Sequence, residues 1–335
     1  MSIRVAINGF GRIGRSVFRL LSRSDSIEVV AINDLFDNEV LSYLLQYDTV
    51  MGTFDKKVRY DASAIYVDDH PIMRTQIRDP KELPWKELEV DVVVEATGIF
   101  RESAQLQAHL DAGARRVLLT VPPKDEIDAM VVIGVNDDIL RPEDRIVSNA
   151  SCTTNCLAPI AKVLDDAFGI ESGIMTTVHA YTNDQRLADV PHTDFRRSRA
   201  AAENIIPTTT GAARAVGKIL PHLNGKLDGM AARVPVADGS IVDLSLKLTK
   251  SPDRDEINRV VQEAATGSLA AILEYSDTPV VSSDIIGNPH SSIFDSLVTQ
   301  ACGDGYARIL CWYDNEWGYS NRVVDLIEVL HGLDN

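Results

Sequence analysis

The chain has 335 residues, with 33 Lys plus Arg against 49 Asp plus Glu and a formal net charge of −16. At roughly 150 residues per domain, that length predicts about two domains, each able to bury a core without disulfides. The charge excludes a basic nucleic-acid footprint as the main function, the 24% charged and 45% hydrophobic content excludes wholesale disorder, and no apolar run approaches the roughly 20 residues of a membrane span.

The sequence MSIRVAINGF enters a strand at once, without the pattern of a leader, so a cytoplasmic location is expected. The apolar run Ile3–Ile7, a helical pattern over Gly11–Ser22, a strand over Ile27–Ile32 and a helix after Asn38 form βαβ grammar. Val58–Ile77, punctuated by Asp, His and Pro, predicts hairpins. Buried-strand runs follow at Asp91–Ala96, Arg116–Thr120 and Met130–Gly134, with a helix over Ser103–Ala112. The first domain, residues 1–150, is therefore expected to be a mostly parallel, Rossmann-type α/β sheet.

From Ser151 the strands lengthen and alternate with period two, most clearly over Ile241–Thr249, and helices such as Asp255–Thr266 separate them. This predicts a second, α+β domain over 151–315 with a mostly antiparallel or mixed sheet. Ala180–Asn204 is polar and aperiodic, a loop long enough to be functional or packed on a neighbour. The last helix, Tyr319–His331, is expected to return to the first domain as part of 316–335.

Gly9, Gly11 and Gly14 fall after the first strand and open the first helix, a context in which glycines permit a tight turn and close approach to a pyrophosphate. Asp34 ends the second strand, where a carboxylate receives ribose hydroxyls or, alternatively, caps the next turn. It would repel the 2′-phosphate of NADP, which favours NAD.

Cys152, Cys156, Cys302 and Cys311 are too few for a disulfide scaffold and lack metal spacing, so no metal is expected. Cys152 stands at the start of a helix, which favours a thiolate, and is the best nucleophile. Cys156 lies one turn on and reads as a small buried residue. His179 ends the strand Ile174–Val178 before the long loop and is the preferred base, although a strand-end histidine also fits a structural role. Arg196, Arg197, Arg199 and Arg233 suit phosphate or surface ion pairs. Thr210 and Gly211 precede a helix over Ala212–Ile219, a second place to hold an anion.

Six segments are similar to phosphorylating glyceraldehyde-3-phosphate dehydrogenase: NGFGRIGR from Asn8, SNASCTTNCLAP from Ser148, TTVHAYTNDQ from Thr176, NIIPTTTGAA from Asn204, LNGKLDG from Leu223 and WYDNEWGYSNR from Trp312. The resemblance runs from Ile3 to about Leu330. It implies a homotetramer that converts glyceraldehyde 3-phosphate, NAD and inorganic phosphate to 1,3-bisphosphoglycerate, with Cys152 as nucleophile and His179 as base. It implies further that Thr182, Arg233 and a loop arginine, best matched by Arg199, bind the substrate phosphate. Ser151, Thr153, Thr210 and Gly211 would take inorganic phosphate. Gly9, Phe10, Gly11, Arg12, Ile13, Asp34, Arg78, Thr97, Gly98, Thr120 and Asn315 match cofactor contacts, and Leu35 and Pro191 match residues associated with NAD preference.

Thr120-Val121-Pro122-Pro123-Lys124 departs from the usual Ser-Ala-Pro of relatives, which places cofactor affinity in question. Two other readings stand beside the main one. Erythrose-4-phosphate dehydrogenase shares the Cys and His but lacks the HAYT threonine and the TTTG signature. A non-catalytic scaffold would not need a reactive Cys152.

Overall fold

The computed structural model describes residues 2–333. They divide into two units, one taking in the chain up to Val131, Asp138–Ala150 and the chain from Ser320 onward, the other Val132–Asp137 with Ser151–Tyr319.

The first unit is built on a nine-stranded sheet. Its strands run in the order Ala129–Met130, Ile146–Ser148, Arg116–Leu119, Val92–Glu95, Ile3–Asn8, Ile27–Asn33, His70–Thr75, Ala64–Val67 and Val58–Tyr60. Pairing is parallel as far as His70–Thr75, and the last two strands pair antiparallel, so the expected hairpins form the edge. Val5, Ala6, Ile7, Val93 and Val94 are fully buried, because a parallel strand in mid-sheet is covered on both faces. Trp85 packs with Ala6, Val30 and Val93 in one cluster, and Leu106 and Leu110 of helix Ser103–Asp111 pack on Val117, Leu119 and Ile146 in another.

The second unit has an eight-stranded mixed sheet, in which Ile170–Ala180 pairs parallel with Leu227–Val234 and antiparallel with Ser240–Leu248. Period two is visible in Ser240–Leu248, where Val242, Leu244, Leu246 and Leu248 are buried and the residues between them face outward. Helix Cys152–Phe168 buries Leu157, Ile160, Ala161 and Leu164. Ile174 and Met230 stay exposed.

Two expectations are corrected. The run Met130–Gly134 yields only the strand Ala129–Met130, because the Asn136 side chain accepts from Val132 N (2.9 Å) and the Asp137 side chain from Gly134 N (2.7 Å). These bonds turn the backbone out of the ladder. The strand predicted over Ile174–Val178 runs on to Ala180, so His179 lies inside the strand, opposite Arg233 in the parallel register.

Arg12 clamps Asp48 with two hydrogen bonds of 2.9 and 3.1 Å, tying the start of helix Arg12–Leu21 to the turn after Tyr47. Burial pushes Asp48 up, but the bonds from Arg12 and from the Met51 and Val50 N–H groups outweigh it and hold the carboxyl at about 2. A carboxylate lowered by folding stabilises fully above its unfolded value of about 3.9 and loses that contribution as pH falls through the folded value. Arg12→Leu is expected to remove on the order of 2 kcal/mol at pH 7 and little at pH 2, measured by urea unfolding at the two pH values.

Candidate cofactor cleft and thiol site

The first glycines divide their work by geometry. Gly9 has φ +93°, and a Cβ there would meet Thr97 N at 2.6 Å; a Cβ on Gly14 would meet Gly9 O at 2.1 Å; beside Gly11 the space is open. Gly9 makes the turn, Gly14 lets the helix lie against the strand, and Gly11 leaves a ligand free approach. Gly9, Gly11, Asn8, Asn33, Asp34 and Thr97 line a cleft of about 450 Å³, walled also by apolar side chains such as Leu35 and Ile99. An open cleft of about 480 Å³ beside Asp37, Glu39 and Asp61 is slightly larger, but its carboxylates repel a pyrophosphate.

Asp34 accepts from Phe10 N at 2.8 Å and from Phe36 N at 3.1 Å. One carboxylate thus braces the glycine turn while facing the cleft, so the bracing and binding readings of Asp34 coexist. Arg78 lines the same cleft and Gly98 is exposed at φ +69°. Phe10 is buried, and Ile13 is half-buried in the first helical turn. Arg12 spends its guanidinium on Asp48. Thr120 is buried, with its hydroxyl donating to Glu95 O at 3.0 Å. Its bulk therefore goes into the sheet, not into the cleft wall. The cleft fits an elongated, partly apolar anion with a diol, which is the chemistry of NAD.

In the second unit, Ser151 caps helix Cys152–Phe168, its Oγ accepting from Thr154 N at 3.1 Å. The half-buried Cys152 places Sγ 3.5 Å from His179 Nε2. His179 Nδ1 lies 2.7 Å from Ala180 O and 2.5 Å from Arg233 Nη1, which also donates to Ala180 O at 3.0 Å. A proton on Nδ1 is donated to Ala180 O and leaves the Nε2 lone pair toward sulfur, whereas a lone pair on Nδ1 receives Arg233 Nη1 and puts the proton on Nε2. Burial, then the Arg233 charge, push His179 down to about 3. Burial also pushes the Cys152 thiol up, opposed by Arg233 and by hydrogen bonds from Thr153. The predicted thiolate-favouring effect of the helix start therefore works against desolvation, with Arg233 as the principal opposing charge.

Tyr313 is a residue that the sequence did not single out. Buried, it bonds Thr153 Oγ1 at 2.8 Å and Thr177 Oγ1 at 2.9 Å and meets the His179 ring edge to face at 5.9 Å. Burial pushes its phenol well above the ordinary value, so it stays a neutral brace for both reactive side chains. Ser240 is the second: its hydroxyl accepts from Ala180 N at 3.1 Å and donates to Asn315 Oδ1 at 2.5 Å. It links the histidine strand to the buried Asn315. Asp238 lies nearby, pushed up to about 9 by burial and by the carboxylates of Asp314 and Glu316. Only the apolar-to-polar change at the ends of these strands could have drawn attention to them.

The loop arginines separate. Arg199 pairs with Asp189 at 2.8 Å, and its side chain is 60% exposed. Arg197 donates to Thr208 Oγ1 at 3.0 Å and pairs with Asp184, and its charge is felt by Arg233. The structure thus brings Arg197, and not Arg199, toward the thiol site. Thr182 is half-buried, its N–H on Gln185. Thr210 and Gly211 open helix Ala212–Ile219, with Thr210 Oγ1 accepting from Ala212 N at 3.2 Å. Among the described residues, no cluster of three or more His, Cys, Asp or Glu could hold a metal ion, and no helix is long and apolar enough to cross a membrane.

Comparison with known proteins bears on both sites. Residues 3–103 match the family model described as the NAD binding domain of glyceraldehyde 3-phosphate dehydrogenase, and residues 151–315 match its C-terminal domain. The chain is 55% identical to glyceraldehyde-3-phosphate dehydrogenase of Borreliella burgdorferi, over 98% of this chain and 99% of the relative. It is 53% identical to glyceraldehyde-3-phosphate dehydrogenase 2 of Bacillus subtilis, over 98% and 96%, and 51% identical to the Mycolicibacterium smegmatis enzyme, over 98% and 99%. On these matches over nearly its whole length, the chain belongs to the glyceraldehyde-3-phosphate dehydrogenase family.

Proposed function

We propose that the chain oxidises glyceraldehyde 3-phosphate to 1,3-bisphosphoglycerate with NAD and inorganic phosphate. The observation that carries this reading is the Cys152 Sγ to His179 Nε2 approach of 3.5 Å at a capped helix start, in a chain of this family. The Cys152 thiol adds across the aldehyde, its S–H proton passing to the carbonyl oxygen, and the hemithioacetal hydroxyl then hands a proton to His179 Nε2, which returns it to sulfur at the end of the cycle. Ala180 O, accepting from Nδ1, stabilises the resulting imidazolium. NAD, which Asp34 and the Gly9 turn would hold, would supply the hydride acceptor for that carbon. A phosphate oxygen then attacks the thioester carbonyl, the C–S bond breaks, and sulfur departs as thiolate while the acyl phosphate is released. One proton is set free per turnover.

Arg233 and Thr182 are assigned to the substrate phosphate, and Ser151, Thr153, Thr210 and Gly211 with Arg197 to inorganic phosphate. A preference for NAD over NADP follows from Asp34, whose charge repels a 2′-phosphate. We assign dinucleotide binding to residues 1–150 and catalysis to 151–315, and infer a cytoplasmic homotetramer. Leu187, Phe195 and Ile205 are 86%, 87% and 70% exposed, an apolar surface that another copy would cover.

Absorbance of NADH with purified protein should show turnover that requires phosphate, favours glyceraldehyde 3-phosphate over erythrose 4-phosphate and is lost in Cys152→Ser. Arg197→Ala is expected to raise the KM for inorganic phosphate about tenfold or more, whereas Arg199→Ala changes it less than about twofold; initial rates across a phosphate series separate the two. Light scattering should give four times the 36.7 kDa chain mass.

A further inference from the structure

Glu95 closes the strand Val92–Glu95 and is fully buried, with both carboxyl oxygens inside the sheet. A buried carboxyl group persists only when donors surround it. Here four do. Asn8 Nδ2 reaches Oε2 at 2.6 Å and His109 Nε2 reaches it at 3.1 Å. Thr97 N reaches Oε1 at 2.9 Å, and Thr97 Oγ1 also donates to it.

Register extends the set. Thr75, Asn33, Asn8 and Glu95 stand side by side on four neighbouring parallel strands. Thr75 Oγ1 donates to Asn33 Oδ1 at 2.8 Å, and Asn33 Nδ2 donates to Asn8 Oδ1 at 2.7 Å. From the other side Trp85 Nε1 donates to His109 Nδ1 at 3.0 Å. An indole N–H can only donate and a carboxylate can only accept, so every link between them has one allowed direction. His109 must carry its proton on Nε2, and both amides must turn their NH₂ groups toward Glu95.

Asn8, Asn33 and Thr97 are walls of the dinucleotide cleft. We propose that Glu95, buried behind that wall, is a positioning residue for NAD: its two acceptor oxygens fix which way Asn8 and Asn33 face and hold the Thr97 turn, with His109 and Trp85 completing the array. This rests on the reading that the first unit binds NAD. Glu95 touches no ligand and acts only through the three residues that do.

Glu95→Gln tests this, because it keeps the shape while presenting an NH₂ group to donors in either amide orientation. On folded protein, calorimetry should give NAD binding weakened at least about fivefold, the size of one lost net hydrogen bond. The KM for NAD should rise in step, with kcat at saturating NAD and the KM for the aldehyde within twofold of wild type. A lowered Tm with unchanged NAD affinity would overturn the proposal, leaving Glu95 a core residue. Where Glu95→Gln fails to fold, His109 decides, since it lies outside the cleft wall. His109→Leu should weaken NAD at least threefold, and His109→Gln, which can donate and accept, should recover most of it. Equal affinity in both variants and wild type would also overturn the proposal. Wild type failing to bind NAD at all would instead defeat the dinucleotide reading on which it rests.

Discussion

Parallel pairing in register is the constraint on which both sites depend. Strands that run the same way and end together set their last residues side by side, about one strand spacing apart. In the first unit this gathers Thr75, Asn33, Asn8 and Glu95 into one row, next to the turn at Gly9. In the second it sets His179 beside Arg233, the one stretch of parallel pairing along the long central strand. An antiparallel partner in the same place would have offered a residue from the start of its strand.

The two rows handle charge in opposite ways. Glu95 is a buried carboxyl group whose oxygens accept from Asn8, Thr97 and His109, while Arg74 donates to the backbone carbonyls of Ile32, Asp34 and Phe36 at the cleft edge. The positive character of the cleft comes from Arg78 and from the helix start at Arg12, whose own guanidinium is paired with Asp48. At the thiol site the balance is reversed: Arg233 is a half-buried cation that disfavours a charged His179 and favours a charged sulfur. A guanidinium that serves both purposes is suited to a site whose ligand carries phosphate, because an arriving dianion changes the field on both reactive groups.

Much of this was legible in the sequence. Gly9, Gly11, Asp34 and Cys152 are marked by residue type and by position after a strand or at a helix start, and the structure has each at such a place, whereas His179 lies within its strand and not after it. What the sequence hid depends on pairing between distant segments. Nothing near Tyr313 says that its hydroxyl will meet Thr153 and Thr177, and nothing near Ser240 says that it will join Ala180 to Asn315. Arg197 and Arg199 are equivalent by local pattern. They are separated only by the fold of the loop, in which the bridge Arg186–Ala200 and the Asp189 pair hold Arg199 at the surface.

The segment Thr120-Val121-Pro122-Pro123 shows the converse, a sequence departure that the structure absorbs. Thr120 Oγ1 donates to the Glu95 carbonyl, Ser148 Oγ donates to Val121 O at 2.8 Å, and Arg101 donates twice to Pro122 O at 3.1 and 2.9 Å. Two consecutive carbonyls, those of Val121 and Pro122, thus have side-chain donors. Prolines at 122 and 123 remove backbone N–H groups from a stretch whose anchoring runs through C=O groups and side chains, so rigidity comes without an orphaned donor. Thr120 is buried beside the same strand end that carries Glu95. The departure therefore lies in anchored backbone beside the Glu95 strand end, and none of residues 120–124 lines the cleft.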